Sequence, residues 1–366
     1  MAETRTKASA TGGWSLPSQN GYESLQYDPA STPATTQELG PEEVLVDMHA
    51  ASLNYRDLAI ANIVKSGPIP LTTIPNLVPG SDGAGLILAI GTAIPSLRPS
   101  LQPGTDVVTH MVPHLPDAAL PGYDDIAAGL GQRTHGTLRR RGIFHHSTLV
   151  RKPATLNYAQ GATLGCSALT AWNALMGLEG RRVKAGDWVL TQGTGGVSIA
   201  ALQIAVAAGA TVVATTSSDA KADRLRALGA AHVLNYRTQP DWGARAKKLT
   251  PDGRGVDHVV DVGGPRTLPG ALDAVRRDGL VTVSGIVGGL DEVVPVELMN
   301  ALWHICAVRG VLLGSRKMMM DMVDFIDEKQ VQIAVDDVEF RLEDAKDAYR
   351  RLKDQKHFAK VVIKMD

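Results

Sequence analysis

Cysteine is almost missing from this 366-residue chain: Cys166 and Cys306 are the only two, far apart in sequence. Such sparse spacing argues against a disulfide framework and fits a reducing compartment. Net charge is missing too, with 37 Lys and Arg against 38 Asp and Glu, a balance of −1. No global field then gathers nucleic acid or an anionic membrane. No apolar run approaches the roughly 20 residues of a membrane helix. The start, MAETRTKASATGGWSLPS, lacks the apolar stretch of a secretory signal. The expectation is a soluble, cytoplasmic protein whose partner is a small-molecule substrate, with no nucleic acid and no membrane. Arg139-Arg140-Arg141 is the one basic cluster and reads as a solvated surface. No internal repeat or low-complexity tract is present.

The length allows two domains. Residues 1 to about 40 are rich in Ser, Thr, Pro and Gly and predict an extended arm or edge strand. From Glu43, EVLVDMHAASLN alternates like a strand, and Val78 to Gly91 reads as glycine-punctuated β-structure. Six prolines between Pro95 and Pro121 break any long element across 95–145. The grammar turns α/β near Ala159. Strands are predicted at His232–Tyr236, Val256–Gly264, Gly279–Ile286 and Ile305–Leu313, with helices near Trp242–Leu249 and Leu268–Arg277 between them. Buried β-branched runs alternating with helices imply a parallel sheet covered on both faces. A helix near Leu342–Leu352 and a last strand, AKVVIKM, follow; that strand can return to the first domain.

The richest segment is Trp188 to Lys221. It reads as a strand (Trp188–Gln192), a turn carrying Gly193, Gly195 and Gly196, an apolar helix, and a second strand (Thr211–Thr216). That order is a dinucleotide-binding βαβ unit, in which glycines let the backbone approach a pyrophosphate held by the N–H groups opening the helix. Ser198 stands where a third glycine is usual. The competing reading is an ordinary turn. After the second strand, an NAD site usually carries an acid for the ribose 2′-hydroxyl. Here Thr215, Thr216, Ser217 and Ser218 precede Lys221. Hydroxyls and an ammonium suit a 2′-phosphate, so the expected cofactor is NADPH. Ser218 or Asp219 can equally cap a helix.

These residues, with LNYRDL (Leu53 to Leu58), PGSDGAG (Pro79 to Gly85), GCSALTAWNAL (Gly165 to Leu175) and KVVI (Lys360 to Ile363), resemble a medium-chain dehydrogenase/reductase over nearly the whole chain. The resemblance implies a Rossmann doubly wound parallel sheet plus a GroES-like β-rich substrate domain, with the active site in a cleft between them. The boundaries would be 1–158 for the substrate domain, 159–315 for the nucleotide-binding domain and 316–366 for a return segment. It also implies a homodimer paired through ICAVRGVLL, the competing reading being an internal edge strand.

Zinc-dependent members carry Cys, His-Glu and a second Cys where this chain has Asn54, Ser81-Asp82 and Cys166. One thiol beside an amide and a hydroxyl is a poor zinc set. No four-cysteine lobe exists, since 95–145 contains none. His145 and His146 are adjacent, which on a strand points them to opposite faces. His110, His114 and His135 read as surface or loop histidines, and Cys166 as a small buried residue at a helix start. The chain therefore resembles the zinc-independent branch of quinone and enoyl reductases and alcohol dehydrogenase-like proteins.

Without a metal, hydride addition to a conjugated C=C or a quinone is favoured, because the anion is delocalised and needs only hydrogen-bond donors. The resemblance places Tyr55 and Asn54 as those donors. Asp57 would pair with Arg56 or cap the next helix. The resemblance also places Gly195, Gly196 and Val197 at the pyrophosphate, and Ser217, Lys221 and Tyr236 at the 2′-phosphate. Gly263, Gly285 and Ile286 would flank the nicotinamide ribose. The substrate pocket would draw on 55–80, 95–145 and part of 285–320. The expected function is NADPH-dependent reduction of an α,β-unsaturated carbonyl compound or a quinone. The alternatives are a zinc-independent alcohol dehydrogenase or carbonyl reductase, and a non-catalytic NADPH-binding sensor or structural protein.

Overall fold

The computed structural model describes residues 11–31, 34–63, 70–287 and 296–365. Parts of the expected N-terminal arm (1–10) and of the expected substrate pocket (64–69 and 288–295) lie outside the described residues. The chain divides into two compact units, one of Met1–Cys166, Ser315–Asp327 and Val335–Asp366, the other of Ser167–Gly314 and Glu328–Ala334.

In the first unit, the long strand Glu43–Ser52 is the hub. It pairs antiparallel with Asp82–Ile90, with Arg141–His145 and with the C-terminal strand Val362–Lys364, where Ile363 faces Ala51. Seven strands form this sheet, completed by Glu339–Arg341, Asp106–Thr109 and Leu149–Arg151. Alternation along the hub buries Val44, Val46 and Met48 in a core shared with Ile87, Val107, Phe144, Leu149, Tyr349 and Ile363. The tail thus returns to the first unit, as its sequence allows. Gly13–Ser15 pairs with Gln26–Asp28, and the Trp14 indole donates to the Leu342 carbonyl at 2.6 Å.

Two expectations fail in this unit, and a third, for His110, holds only in part. The arginine run is not a solvated surface: Arg139 stacks on Phe144, Arg140 meets Glu343 at 3.2 Å and Arg141 meets Asp47 at 3.1 Å. Loss of solvent pulls the Arg139 pKa down to about 10. His110 lies in a loop, as expected, but is buried there, with its Nδ1 3.1 Å from the Val112 carbonyl oxygen. His145 and His146 do not diverge, because the strand ends at His145 and a 3₁₀ turn, His146–Thr148, begins at once. Strand alternation holds only inside a strand.

The second unit is a six-stranded parallel sheet in the order His232–Asn235, Thr211–Thr216, Trp188–Gln192, Val256–Asp261, Val275–Val283, Ala307–Gly310. Numbered along the chain this is 3-2-1-4-5-6, the Rossmann order. The helix Gly196–Ala207 is apolar around its whole circumference and buries an unbroken stretch from Ser198 to Ala205. The helix predicted to reach Arg277 stops at Ala274, and the next strand starts at Val275. Val275 pairs with Val256, and an irregularity through Arg276, Arg277 and Asp278 (φ 55°) takes up the extra residues before Leu280 meets His258. Arg276 is held there by Asp257 at 2.5 Å. The strand expected over Ile305–Leu313 contracts to Ala307–Gly310.

Candidate active site

In the second unit the candidate nucleotide site lies at the C-terminal ends of the parallel strands, where the strand order reverses between Trp188–Gln192 and Val256–Asp261. Gly193 takes φ 77°, a conformation costly for any residue with a Cβ, and its N–H donates to the Thr215 carbonyl at 3.0 Å. A Cβ placed on Gly193 or Gly195 would meet nothing within 4 Å, so the space over the turn is open. Gly195 caps the helix, whose first backbone bond runs from Ile199 N–H to the Gly195 carbonyl. The N–H groups of Gly196, Val197 and Ser198 therefore have no acceptor within the helix and suit a phosphate. Ser198 is buried and donates to the Gln192 carbonyl at 2.5 Å, tying helix to strand where a third glycine would otherwise allow close packing.

Beside this turn, Tyr236 N–H donates to the Thr216 carbonyl at 3.0 Å and Lys221 Nζ reaches Thr194 Oγ1 at 3.3 Å. The paired ends of Thr211–Thr216 and His232–Asn235 thus bring Ser217, Lys221 and Tyr236 to one sheet end. Asp219 opens the next helix, and its carboxylate accepts from Asn235 Nδ2 at 2.9 Å. Gly263 ends the turn after Val256–Asp261, and Gly285–Ile286 follows the next strand. A Cβ on Gly264 would lie 3.0 Å from the Gly285 carbonyl oxygen and 3.2 Å from Ile286 Cα. These loops touch, and small residues permit it.

Sequence reading missed what pins these loops. Buried Asp261 accepts from Gln192 Nε2, Thr267 Oγ1 and Gly264 N–H, each at 2.8 Å. Burial raises the Asp261 pKa, and those three bonds oppose the rise. The signal available was an acid directly after the apolar pair Val259-Val260 at the strand's end, beside a glycine pair.

In the first unit a second polar cluster surrounds Asn54 and Asp82. Asn54 precedes the helix Tyr55–Asn62, and its N–H donates to Asp57 Oδ2 at 2.7 Å. Asp57 therefore serves the helix start. Arg56 instead reaches the Leu130 carbonyl at 2.9 Å and Gln132 Oε1 at 3.0 Å. The Asn54 side chain is buried: Nδ2 donates to Asp82 Oδ2 at 2.9 Å and Oδ1 accepts from Lys360 Nζ. Lys360 also donates to the Leu53 carbonyl at 2.7 Å and lies 3.2 Å from Asp82 Oδ2. Asp82 is fully buried, and Asp82 Oδ1 and Ser81 Oγ have no hydrogen-bond partner among the described residues. A Cβ on Gly165 would press on Asp82 Oδ1 and the Thr109 carbonyl, so glycine brings the Cys166 turn close. Tyr55 is exposed at the first helical position.

This donor set does not fit zinc. An ammonium already lies against both Asn54 Oδ1 and the Asp82 carboxylate. Loss of solvent, then the Asp82 charge, pushes the Cys166 thiol up to about 12, away from the thiolate that zinc binds. Cys166 itself is only partly buried and sits on a π-helical turn, Leu164–Ala168. Burial likewise lifts Asp57 to about 6, opposed first by Arg56.

The fold and the phosphate-ready turn together define an oxidoreductase of the dinucleotide-dependent class. Two family models match, "Alcohol dehydrogenase GroES-like domain" over residues 40–154 and "Zinc-binding dehydrogenase" over 196–328. A zinc-type alcohol dehydrogenase-like protein of Schizosaccharomyces pombe is 38% identical over 353 residues, spanning 95% of this chain and 97% of that protein. A crystal structure titled NAD-dependent alcohol dehydrogenase superposes with TM-score 0.79 at 30% identity, covering 97% of this chain and 100% of that one. A crotonyl-CoA carboxylase/reductase, AntE, solved with NADP shares the fold at TM-score 0.77 and 21% identity, over 97% and 94% of the two chains. The chain belongs to the medium-chain dehydrogenase/reductase family. Among the described residues, no helix is long and apolar enough to cross a membrane.

Proposed function

We propose that this protein is an NADPH-dependent reductase that delivers hydride, without a catalytic metal, to the C=C of an α,β-unsaturated carbonyl compound or to a quinone. The observation that carries the reading is the Lys360 ammonium seated on Asn54 and Asp82, where zinc-dependent members hold their metal. NADPH, when bound, supplies the hydride. The N–H groups of Gly196 and Val197 would hold its pyrophosphate, and Ser217, Lys221 and Tyr236 its 2′-phosphate. Gly263, Gly285 and Ile286 would border the nicotinamide ribose. Tyr55, exposed and first in its helix, donates a hydrogen bond or proton to the enolate or quinol oxygen. Asn54 is a positioning residue, since its amide is committed to Asp82 and Lys360.

The names of relatives favour a second reading, a carbonyl reductase or alcohol dehydrogenase in which Tyr55 acts as the acid. One assay separates the two. Chelated protein is given NADPH with an enone, a quinone or a simple aldehyde, and products are identified. Turnover of enone or quinone alone is expected; alcohol formed from the aldehyde would move the assignment to the second reading. NADPH binding with no turnover of any acceptor would favour a sensor.

The protein is further proposed to be a homodimer through Ala307–Gly310, the edge strand of this sheet among the described residues. Leu298 is 88% and Trp303 69% exposed beside that edge, with Leu302 and Ile305 also outside. Such an apolar patch calls for a cover. Sedimentation should give a dimer that Trp303→Glu weakens; a wild-type monomer at all concentrations would remove the idea.

A further inference from the structure

The strand Arg141–His145 ends against the start of the hub strand, with His145 opposite Glu43. The next N–H, that of His146, donates to the Glu42 carbonyl at 3.0 Å. Turning the backbone between His145 and His146 therefore gathers three side chains that sequence spacing would separate. His145 Nε2 lies 3.0 Å from Glu42 Oε2, and one potential ligand atom from each of Glu42, His145 and His146 lies within 4.8 Å of the others. Among the described residues this is the only group of three or more His, Cys, Asp or Glu so placed.

We propose that Glu42, His145 and His146 form a binding site for a divalent zinc-like ion, built from residues other than those around Asn54. Two imidazoles and a carboxylate are a three-ligand set that zinc accepts, with water in the fourth place. Ligand atoms about 2.0–2.2 Å from a common ion stand roughly 3.4 Å apart in a tetrahedron. The exposed Glu42 side chain can close the remaining gap.

The surroundings fit such a role. Nδ1 of His145 accepts from the Ser147 N–H at 3.3 Å, so for Nε2 to ligate the ring proton must move to Nδ1, give up that bond and be donated to Ser147 Oγ, 2.6 Å away. Ser147 Oγ is itself fixed by the His114 N–H at 2.8 Å. This is the outer hydrogen bond that orients a ligating imidazole. His114 packs its ring 4.1 Å from that of His145. His146 Nδ1 is buried with no hydrogen-bond partner among the described residues. The cations nearest His146 are the guanidiniums of Arg98 and Arg316, and both are paired with Asp117, Arg98 at 3.3 Å and Arg316 Nε at 2.5 Å. An ion here would clip the start of the sheet's hub strand to the 3₁₀ turn; it would take no part in hydride transfer.

The test titrates the metal-free full chain with Co²⁺ and reads its visible absorption. The expected result is one equivalent bound, with no thiolate charge-transfer band. Binding should weaken roughly 10-fold or more in His146→Ala and in Glu42→Gln, the scale that disturbing even an outer partner produces. It should persist in Cys166→Ser. Unchanged thermal melting of the metal-free variants separates loss of ligand from loss of fold. No Co²⁺ binding at neutral pH, equal binding in both variants, or loss in Cys166→Ser would each overturn the site.

Discussion

The turn after Trp188–Gln192 and the residues around Asp82 both gather polar groups at strand ends, but they are completed in different ways. At the turn, glycines keep side chains away and the helix-opening N–H groups lack intrahelical acceptors, so a charged ligand can complete them. Around Asp82 the completing charge belongs to the chain: Lys360, from the segment before the last strand, reaches Leu53, Asn54 and Asp82. A site completed from outside stays selectable by cofactor. One completed from inside is fixed, and it gives up the place a metal would need.

The largest effect should come from removing the internal charge. Lys360→Met leaves Asp82 buried and unpaired and should cost about 3–5 kcal/mol of stability. Denaturant midpoints would show it, and Asp82→Asn in the same chain should recover part. A loss below about 1 kcal/mol would mean the pair is not the closing element supposed here.

At the open turn the effect should fall on binding and spare the fold. Gly195→Asp projects into empty space but sets a carboxylate where a phosphate belongs. NADPH affinity should drop by about 3 kcal/mol, roughly a hundredfold in Kd, with melting unchanged. Equal NADPH binding would break the comparison at its root.

Asp57 tests the closed cluster through pH. Its folded pKa of about 6 lies above the ordinary aspartate value of 3.8, so the native state holds the extra proton between those values. The resulting stability is complete below about pH 4 and lost as pH rises to about 6, at most about 3 kcal/mol. Asp57→Asn should flatten that part of the wild-type profile. An identical slope in the variant would place the titration elsewhere.

The smallest effect sharpens cofactor choice. Lys221→Ala should weaken NADPH about tenfold while leaving NADH nearly unchanged, the size of one charge-assisted hydrogen bond. Equal losses for both would assign Lys221 to Thr194 and the turn alone.

Local pattern made much of this legible. Strands Trp188–Gln192 and Thr211–Thr216, the helix Trp242–Leu249 and the glycine turn follow from β-branched runs, helical spacing and turn chemistry, all short-range effects. Misreadings cluster where distant residues decide. Asp278 breaks a strand that pattern alone starts later, and the arginine run finds partners as far away as Glu343. His145 and His146 escape strand alternation because the strand stops between them.

The sequence by itself determined the parallel-sheet unit and the phosphate-ready turn, since each depends on residue type at short spacing. Only the tertiary structure decided what stands where the metal would be. Lys360 lies 306 residues from Asn54, and no local rule joins them. A buried carboxylate needs a countercharge, and the fold supplied it from the far end of the chain.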